Sequence, residues 1–310
     1  MARNFAQRDG RTVTPLPLLL VAAAAGVWAP GAATGQAGGG GGKVKVDAGR
    51  VRGGEATAAF EVGQLPRPWK DDAAAKATVS LAAGDVDPNS KLEALNDGKV
   101  PDTEDAPAAN FFFAQKAPGG RVVLDLGRVL RVGEVNTFSW HKDSRGPQVY
   151  TLFGSDGTAR GFNPKPGADV EPAKAGWTRI ARVDTRPGAP PQADSDPAAI
   201  AAAAAEAIKR AAEAGAGAAD AATGAADNGD GQYAVSISAA PNSGGGGDGT
   251  PAVLGHYRYL LFDVRSTDLH PEWDNTFFSE VDVVDADQRP SEPSVLAPNA
   301  RGDRPDPNGL

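Results

Sequence analysis

The sequence predicts an all-β protein, a sandwich or a barrel of antiparallel strands. Many short stretches alternate apolar and polar residues with a period of two, as half-buried strands do. Turn-forming Gly, Pro, Asn and Asp residues separate these stretches. Amphipathic helical repeats are not interleaved with them, which speaks against a parallel α/β fold.

Residues 1–37 predict a secretory signal peptide. Arg3, Arg8 and Arg11 form a basic start, and residues 15–29 form an apolar run that is short for a membrane span. Small residues that suit cleavage follow this run. We therefore expect an exported protein, secreted, periplasmic or at the cell surface, without a transmembrane segment after cleavage. An uncleaved anchor is the alternative.

The composition narrows the class of protein. The chain has no cysteine and three histidines, so disulfides and zinc–thiolate sites are excluded and histidine-rich clusters are not expected. The formal net charge is −8, and it becomes −10 when residues 1–37, with three arginines and one aspartate, are removed. Nucleic acids and anionic membranes attract basic surfaces, so we expect neither as a partner.

Residues 38–75 predict a glycine linker and a lead-in strand. Lys43 to Val51 alternates as a strand does, whereas residues 52–75 mix prolines with alanines and are expected to be loosely attached. The strand pattern then continues over residues 76–287, which predicts one sandwich domain. Its strand-like stretches are 76–82, 110–115, 119–127, 131–140, 148–157, 177–185, 232–238, 256–266 and 277–285.

The third of these stretches shows the pattern most clearly. Val122, Leu124 and Leu126 are spaced by two and are predicted to lie on one buried face.

Two segments differ from this pattern. Residues 187–231 form an alanine-rich, low-complexity insertion, in which Asp196 as N-cap and Pro197 at the first helical position predict a protruding helix over 197–214. Residues 288–310 are rich in proline and polar residues and predict a disordered tail.

Catalysis has little support in the sequence. There is no G-x-S-x-G nucleophile motif, no HExxH metal motif and no phosphate-binding glycine loop after a strand. Aspartates and glutamates are abundant, but no spacing selects two of them as a glycosidase pair. We therefore expect a protein that is not an enzyme.

The stretch SWHKDSRGPQ, residues 139–148, is the first candidate ligand site. Trp140 could place its ring under the apolar face of a sugar, while His141, Lys142 and Arg145 donate hydrogen bonds to hydroxyl groups. The alternative is that Trp140 and His141 pack in the structure and Arg145 lies in a solvated turn. By strand alternation, Phe138 is expected inside.

The stretch 266–280 is the second candidate. It places His270, Trp273 and Asn275 between two predicted strands, as a loop with both aromatic and polar groups. An ordinary polar connection with a packed Trp273 is the alternative.

Several short motifs follow one another along the chain: LNDGKVP, VVLDLGRVLRVGEVNTFSW, YTLFGSDG, WTRIARV, YRYLLFDV and SEVDVVD. Their order resembles the discoidin family, which includes the C-type domains of coagulation factors and carbohydrate-binding modules of secreted bacterial enzymes. The resemblance implies a galactose-binding-like jelly-roll β-sandwich, and closure as in the family would place the 266–280 loop at the same end as the 139–148 stretch. Discoidin domains often join their ends with a disulfide, which this chain cannot form.

The resemblance also implies a structural calcium ion. The positions that match the family's ligands are Asn96, Asp97, Gly98 and Glu280, and oxygen ligands of this kind suit Ca²⁺. The alternative is that Asp97 only closes a local turn through its own side chain.

These observations predict a secreted, non-catalytic binding module that recognises carbohydrate, a glycan or cell-surface polymer, through loop aromatics and polar donors. The alternative is a structural or protein-interaction domain of the cell surface that has no sugar ligand.

Overall fold

The computed structural model describes residues 44–52, 55–142, 144–189, 227–240, 252–269 and 275–297. The predicted signal peptide and the predicted helix over 197–214 lie outside these residues. In the described part, helical structure consists of four short 3₁₀ turns, Ala74–Lys76, Leu92–Leu95, Pro107–Ala109 and Pro172–Ala175. None of the helices in this part is long and apolar enough to span a membrane.

The described residues form ten strands. They are β1 Val44–Val51, β2 Thr78–Ala83, β3 Lys99–Val100, β4 Gly119–His141, β5 Val149–Ser155, β6 Thr178–Asp184, β7 Gly231–Ala239, β8 Gly255–Arg265, β9 Glu280–Asp285 and β10 Val295–Leu296. All pairings are antiparallel except that between β10 and β3. The prediction of an antiparallel all-β fold is confirmed.

The long strand β4 takes part in both layers of the sandwich. Its first part pairs with β2 and β8, and β8 continues through β5 to β6. Its second part pairs with β7 on one side, which continues to β1, and with β9 on the other. The register shifts between Asp125 and Leu130, and Gly127 there has a φ of 77° that favours glycine. This irregularity allows one strand to serve two layers.

The first part of β4 forms the first layer with β2, β8, β5 and β6, and the second part of β4 forms the second layer with β7, β1 and β9. The main hydrophobic core lies between these two layers. Leu124 and Leu152 enter it from the first layer, and Ile237 and Val283 enter it from the second, all four with no exposed surface. Val122, Leu124 and Leu126 all belong to this core, as their spacing predicts. Burial of such side chains is the main source of stability for a chain without disulfides.

The outer face of the second layer is also buried. Phe60 and Val62, from the segment expected to be loosely attached, pack there against Phe138 and Trp140 and are at most 2% exposed. That expectation is therefore wrong for residues 56–65. A proline- and alanine-rich composition did not reveal that two apolar side chains anchor the segment.

The beginning of the predicted disordered tail is ordered too. Val295 and Leu296 form β10 beside β3, and the backbone of residues 292–294 hydrogen-bonds to Lys70 and Pro68. The prediction is therefore wrong for residues 290–297, and residues 298–310 lie outside the described part. Backbone pairing with the lead-in segment fixes this stretch, although its composition is polar.

Candidate functional site

Two loops meet at one end of the sandwich. The backbone N–H of Phe277 donates to the carbonyl of Arg145 at 3.0 Å. The Arg145 guanidinium lies 4.5 Å from the centre of the Phe277 ring, and the His141 ring lies 4.7 Å from it. The structure thus brings residues 144–148 and 275–279 together, as expected if the sandwich closes as in the discoidin family. We call this end of the sandwich the rim.

A carboxylate at the rim gathers three cationic or potentially cationic side chains. Asp105 lies 3.0 Å from Lys142 Nζ, 3.4 Å from His141 Nε2 and 3.8 Å from Arg145 Nη2. Partial burial alone would raise the pKa of Asp105, but the hydrogen bond from Lys142 and the neighbouring charges outweigh it and lower that pKa. Asp105 is therefore ionised and orders its three neighbours.

A stacked aromatic pair lies under these charged groups. The rings of Phe112 and Phe277 are parallel to within 6° and their centres are 4.1 Å apart. Both side chains are buried. The Phe277 ring therefore supports the Arg145 guanidinium, Phe112 supports Phe277, and neither ring is open to a ligand.

A buried hydrogen-bond network holds the 142–148 loop against β4. Gln148 accepts a hydrogen bond from the Thr137 hydroxyl and donates to Ser139 Oγ at 3.0 Å. Ser139 Oγ in turn donates to the carbonyl of Gly146 at 2.6 Å. All three side chains have no exposed surface, so the network is strong and fixes the loop backbone beneath the charged groups.

The predicted rim residues differ in how accessible they are. Lys142 is half exposed and Arg145 is 15% exposed, whereas His141 is fully buried. Asn275 is 3% exposed and donates to the carbonyl of Phe113 at 2.6 Å, so it braces the interior. His270 and Trp273 lie outside the described residues.

Trp140 is not available as a sugar platform. Its side chain is 6% exposed and meets Phe60 edge-on, with ring centres 5.8 Å apart. Phe138, on the same strand face, is fully buried, as predicted. Of the two alternatives for Trp140, packing is the one the structure bears out, because residues 56–65 cover the outer face of β4.

Sequence reasoning missed Asp105 and the phenylalanine pair. Asp105 lies in a loop of similar acidic and polar residues, 36 positions before His141, and no pattern marks it there. Its positive φ of 52° is a structural feature that the sequence does not show. The runs NFFF and TFF, residues 110–113 and 276–278, indicated aromatic packing, but they did not show where in the fold it would occur.

Glu280 is the clearest feature at the predicted calcium position. It has no exposed surface, and neither carboxylate oxygen has a hydrogen-bond partner. Burial raises the pKa of Glu280 well above its ordinary value, and the charges of Asp282 and Asp72 raise it further. A buried carboxylate without donors is costly unless a cation or a proton neutralises it.

The 96–98 turn supplies further oxygen atoms. Asp97 Oδ1 accepts the Lys99 backbone N–H at 3.0 Å, so the local turn considered as the alternative is present. Asn96 donates its amide to the carbonyls of Ala74 and Ala77, which leaves its side-chain oxygen for another role. Gly98 has a φ of 69°, which favours glycine.

The described residues contain no group of three His, Asp or Glu side chains close enough to hold a metal by themselves. A calcium ion would therefore combine the Glu280 carboxylate with carbonyl and amide oxygens of the 96–98 turn. The oxygen donors and the orphaned carboxylate fit Ca²⁺.

Among known proteins, the chain is similar to solved structures. No family model and no curated protein matches the chain. A family 89 glycoside hydrolase from Clostridium perfringens in complex with PUGNAc matches with a TM-score of 0.33 and 11% identity, over 73% of this chain and 16% of that one. The lectin domain of lectinolysin complexed with Lewis B antigen matches with a TM-score of 0.34 and 12% identity, over 70% and 98%.

A Ruminococcus gnavus GH29 fucosidase in complex with fucose is also similar. Its TM-score is 0.34 at 10% identity, over 70% of this chain and 27% of that one. The chain thus spans less than a third of the length of either hydrolase.

Proposed function

We propose that the rim binds carbohydrate and that the domain is a non-catalytic, exported binding module. The observation that carries the proposal is the convergence of Lys142, His141 and Arg145 on Asp105. Sugar hydroxyls act both as donors and as acceptors, so a carboxylate beside ammonium and guanidinium groups can bind a pair of neighbouring hydroxyls. The discoidin-like order of motifs supports the same function.

The rigidity of the rim favours recognition of a small ligand. The Thr137–Ser139–Gln148 network fixes the loop, and the Phe277 ring fixes the Arg145 guanidinium. A site whose donors are already held in place loses little entropy when a ligand binds. The described rim provides the polar part of such a site, and Trp273 is our candidate for the aromatic part.

The burial of Trp140 favours the second candidate function, a protein-interaction or structural domain. Without an accessible ring among the described rim residues, the same charged groups could meet an acidic or basic protein surface. The two functions differ in whether a free sugar binds at the rim.

A glycan array probed with the full chain and its variants tests the proposal. Removing the exposed charge in Lys142→Ala, or the charge and one acceptor oxygen in Asp105→Asn, is expected to weaken binding of the recognised glycan by about tenfold or more, since a charge-assisted hydrogen bond contributes ~1.5–3 kcal/mol. Lys165→Ala is the matched control, because Lys165 is exposed beyond β5 at the opposite end and should leave binding unchanged. An array without signal for the wild type, or equal loss in the control, would argue for the interaction domain.

We further propose that Ca²⁺ binds at Glu280 with oxygens of Asn96, Asp97 and Gly98. Bound calcium would neutralise the buried carboxylate and tie the 96–98 turn to the start of β9. Its role is structural, because the rim charges lie on other elements.

A further inference from the structure

Three buried polar side chains cluster on the outer face of the second layer. Asp282 of β9 has no exposed surface, Asn136 of β4 is 1% exposed and Asp72 is 2% exposed. Asp72 Oδ2, Asp282 Oδ1 and both amide atoms of Asn136 have no hydrogen-bond partner. Native proteins rarely leave so many buried polar atoms unsatisfied in one place without an ion or ordered water.

The register of the sheet makes these side chains neighbours. Asn136 lies directly opposite Asp282 in the β4–β9 pairing, so their side chains share one face with Cβ atoms ~5 Å apart. The lead-in segment brings Asp72 to the edge of β9, where Asp72 Oδ1 accepts the backbone N–H of Val283 at 2.8 Å. Asp282 thus lies opposite Asn136 in the β4–β9 pair and next in sequence to Val283, which Asp72 contacts.

Backbone N–H groups already donate to one oxygen of each of the two carboxylates, Asp72 and Asp282. Asp72 Oδ1 also accepts the Ala74 N–H at 2.6 Å, and Asp282 Oδ2 accepts the Trp69 N–H at 3.0 Å. These backbone donors orient the two carboxylates and leave their other oxygens directed elsewhere. These carboxylate oxygens, like the amide oxygen of Asn136, are the kind of ligand that Ca²⁺ takes.

The electrostatics point the same way. Asp72 is 2% exposed and Asp282 has no exposed surface, so water cannot screen either carboxylate. Two buried carboxylates destabilise each other unless a positive charge lies between them. The described residues place no lysine or arginine in hydrogen-bonding or ion-pair contact with either of these two carboxylates.

We propose that Asp72, Asp282 and Asn136 form a second calcium-binding position, separate from the one at Glu280. Asp72 Oδ2, Asp282 Oδ1 and Asn136 Oδ1 supply hard oxygen ligands, and water completes the coordination, which Ca²⁺ tolerates better than the more demanding Mg²⁺ does. The ion joins the lead-in segment to β4 and β9. This position depends neither on the carbohydrate proposal nor on the 96–98 turn.

Calorimetric titration of CaCl₂ into the chelator-treated full chain tests this inference. The wild type is expected to bind two ions per chain, and Asp282→Asn and Glu280→Gln are each expected to bind one. Asp287→Asn is the matched control, since Asp287 is 57% exposed and pairs with Arg131 at the surface, and it should still bind two. Because Asp282→Asn is isosteric, its backbone contact to Trp69 can persist.

Asn136→Leu provides a second variant if Asp282→Asn does not fold. It keeps both carboxylates and the same branched side-chain shape but removes the amide oxygen, and it is expected to weaken the binding of one of the two ions by about tenfold or more.

Three results would overturn the second position. Asp282→Asn could retain every ion that the wild type binds, which would leave any calcium at Glu280 alone. If the wild type binds a single ion, and both Asp282→Asn and Glu280→Gln lose it, the two positions are one shared site. If the wild type binds no calcium and Asp282→Asn melts higher in chelator, a shared proton neutralises the pair and both calcium proposals fail.

Discussion

Glu280→Gln is expected to raise the melting temperature of the calcium-free protein and to lower that of the calcium-loaded protein. Without calcium, the variant no longer buries a carboxylate whose oxygens lack a hydrogen-bond partner at normal distance. With calcium, it loses the ligand whose bound ion stabilises the folded chain. An ion at 100 times its dissociation constant contributes about 2.7 kcal/mol to the free energy of unfolding, which for a domain of this size shifts the melting temperature by roughly 5–10 °C.

Thermal unfolding of the wild type and the variant, each in chelator and in calcium, measures both effects. Glu171→Gln serves as the control, because Glu171 is exposed at the opposite end and pairs with Lys174, and it should melt like the wild type in both conditions. Equal melting temperatures for the wild type with and without calcium would contradict a calcium site at Glu280.

Phe60→Ala is expected to destabilise the fold by ~3–5 kcal/mol, as large-to-small changes in a core do. Phe60 has no exposed surface and makes edge-to-face contacts with Phe138 and Trp140, at 6.0 and 5.8 Å. Removing the ring leaves a cavity over the outer face of the second layer and loosens the 56–65 segment. Because the expected cost is a large part of the stability of an ordinary domain, partial unfolding at 37 °C is expected.

Denaturant unfolding of the wild type and Phe60→Ala measures the difference. Val129→Ala removes a side chain that is 46% exposed and should change the unfolding free energy by less than about 0.5 kcal/mol. A comparably small effect of Phe60→Ala would mean that the lead-in segment does not belong to the folded unit.

The strands could be predicted because their alternation is a local property. Val122, Leu124 and Leu126 illustrate this, since each enters the main core as a period of two requires. The second part of β4 shows the limit of that reasoning. Phe138 and Ser139 point to opposite faces yet both are fully buried, because residues 56–65 cover the outer face. Whether a second face is covered depends on a distant segment, so alternation could not identify Trp140 as buried.

The candidate site could be predicted in part for the same reason. His141, Lys142 and Arg145 lie on one strand end and its turn, so the sequence shows them together. Asp105, which gathers them, comes from a loop whose path depends on 3₁₀ turns and a positive φ. The unsatisfied oxygens of Glu280 and Asp282 depend on complete burial, which a strand with the sequence EVDVVD would not suggest.

Amide chemical-shift mapping with a glycan from the array tests the central claim most directly. The account predicts saturable shifts centred on Lys142, Arg145 and the neighbouring 275–277 backbone, and none in the 156–171 segment at the opposite end. Shifts confined to another surface, or none at millimolar glycan, would contradict carbohydrate binding at the rim.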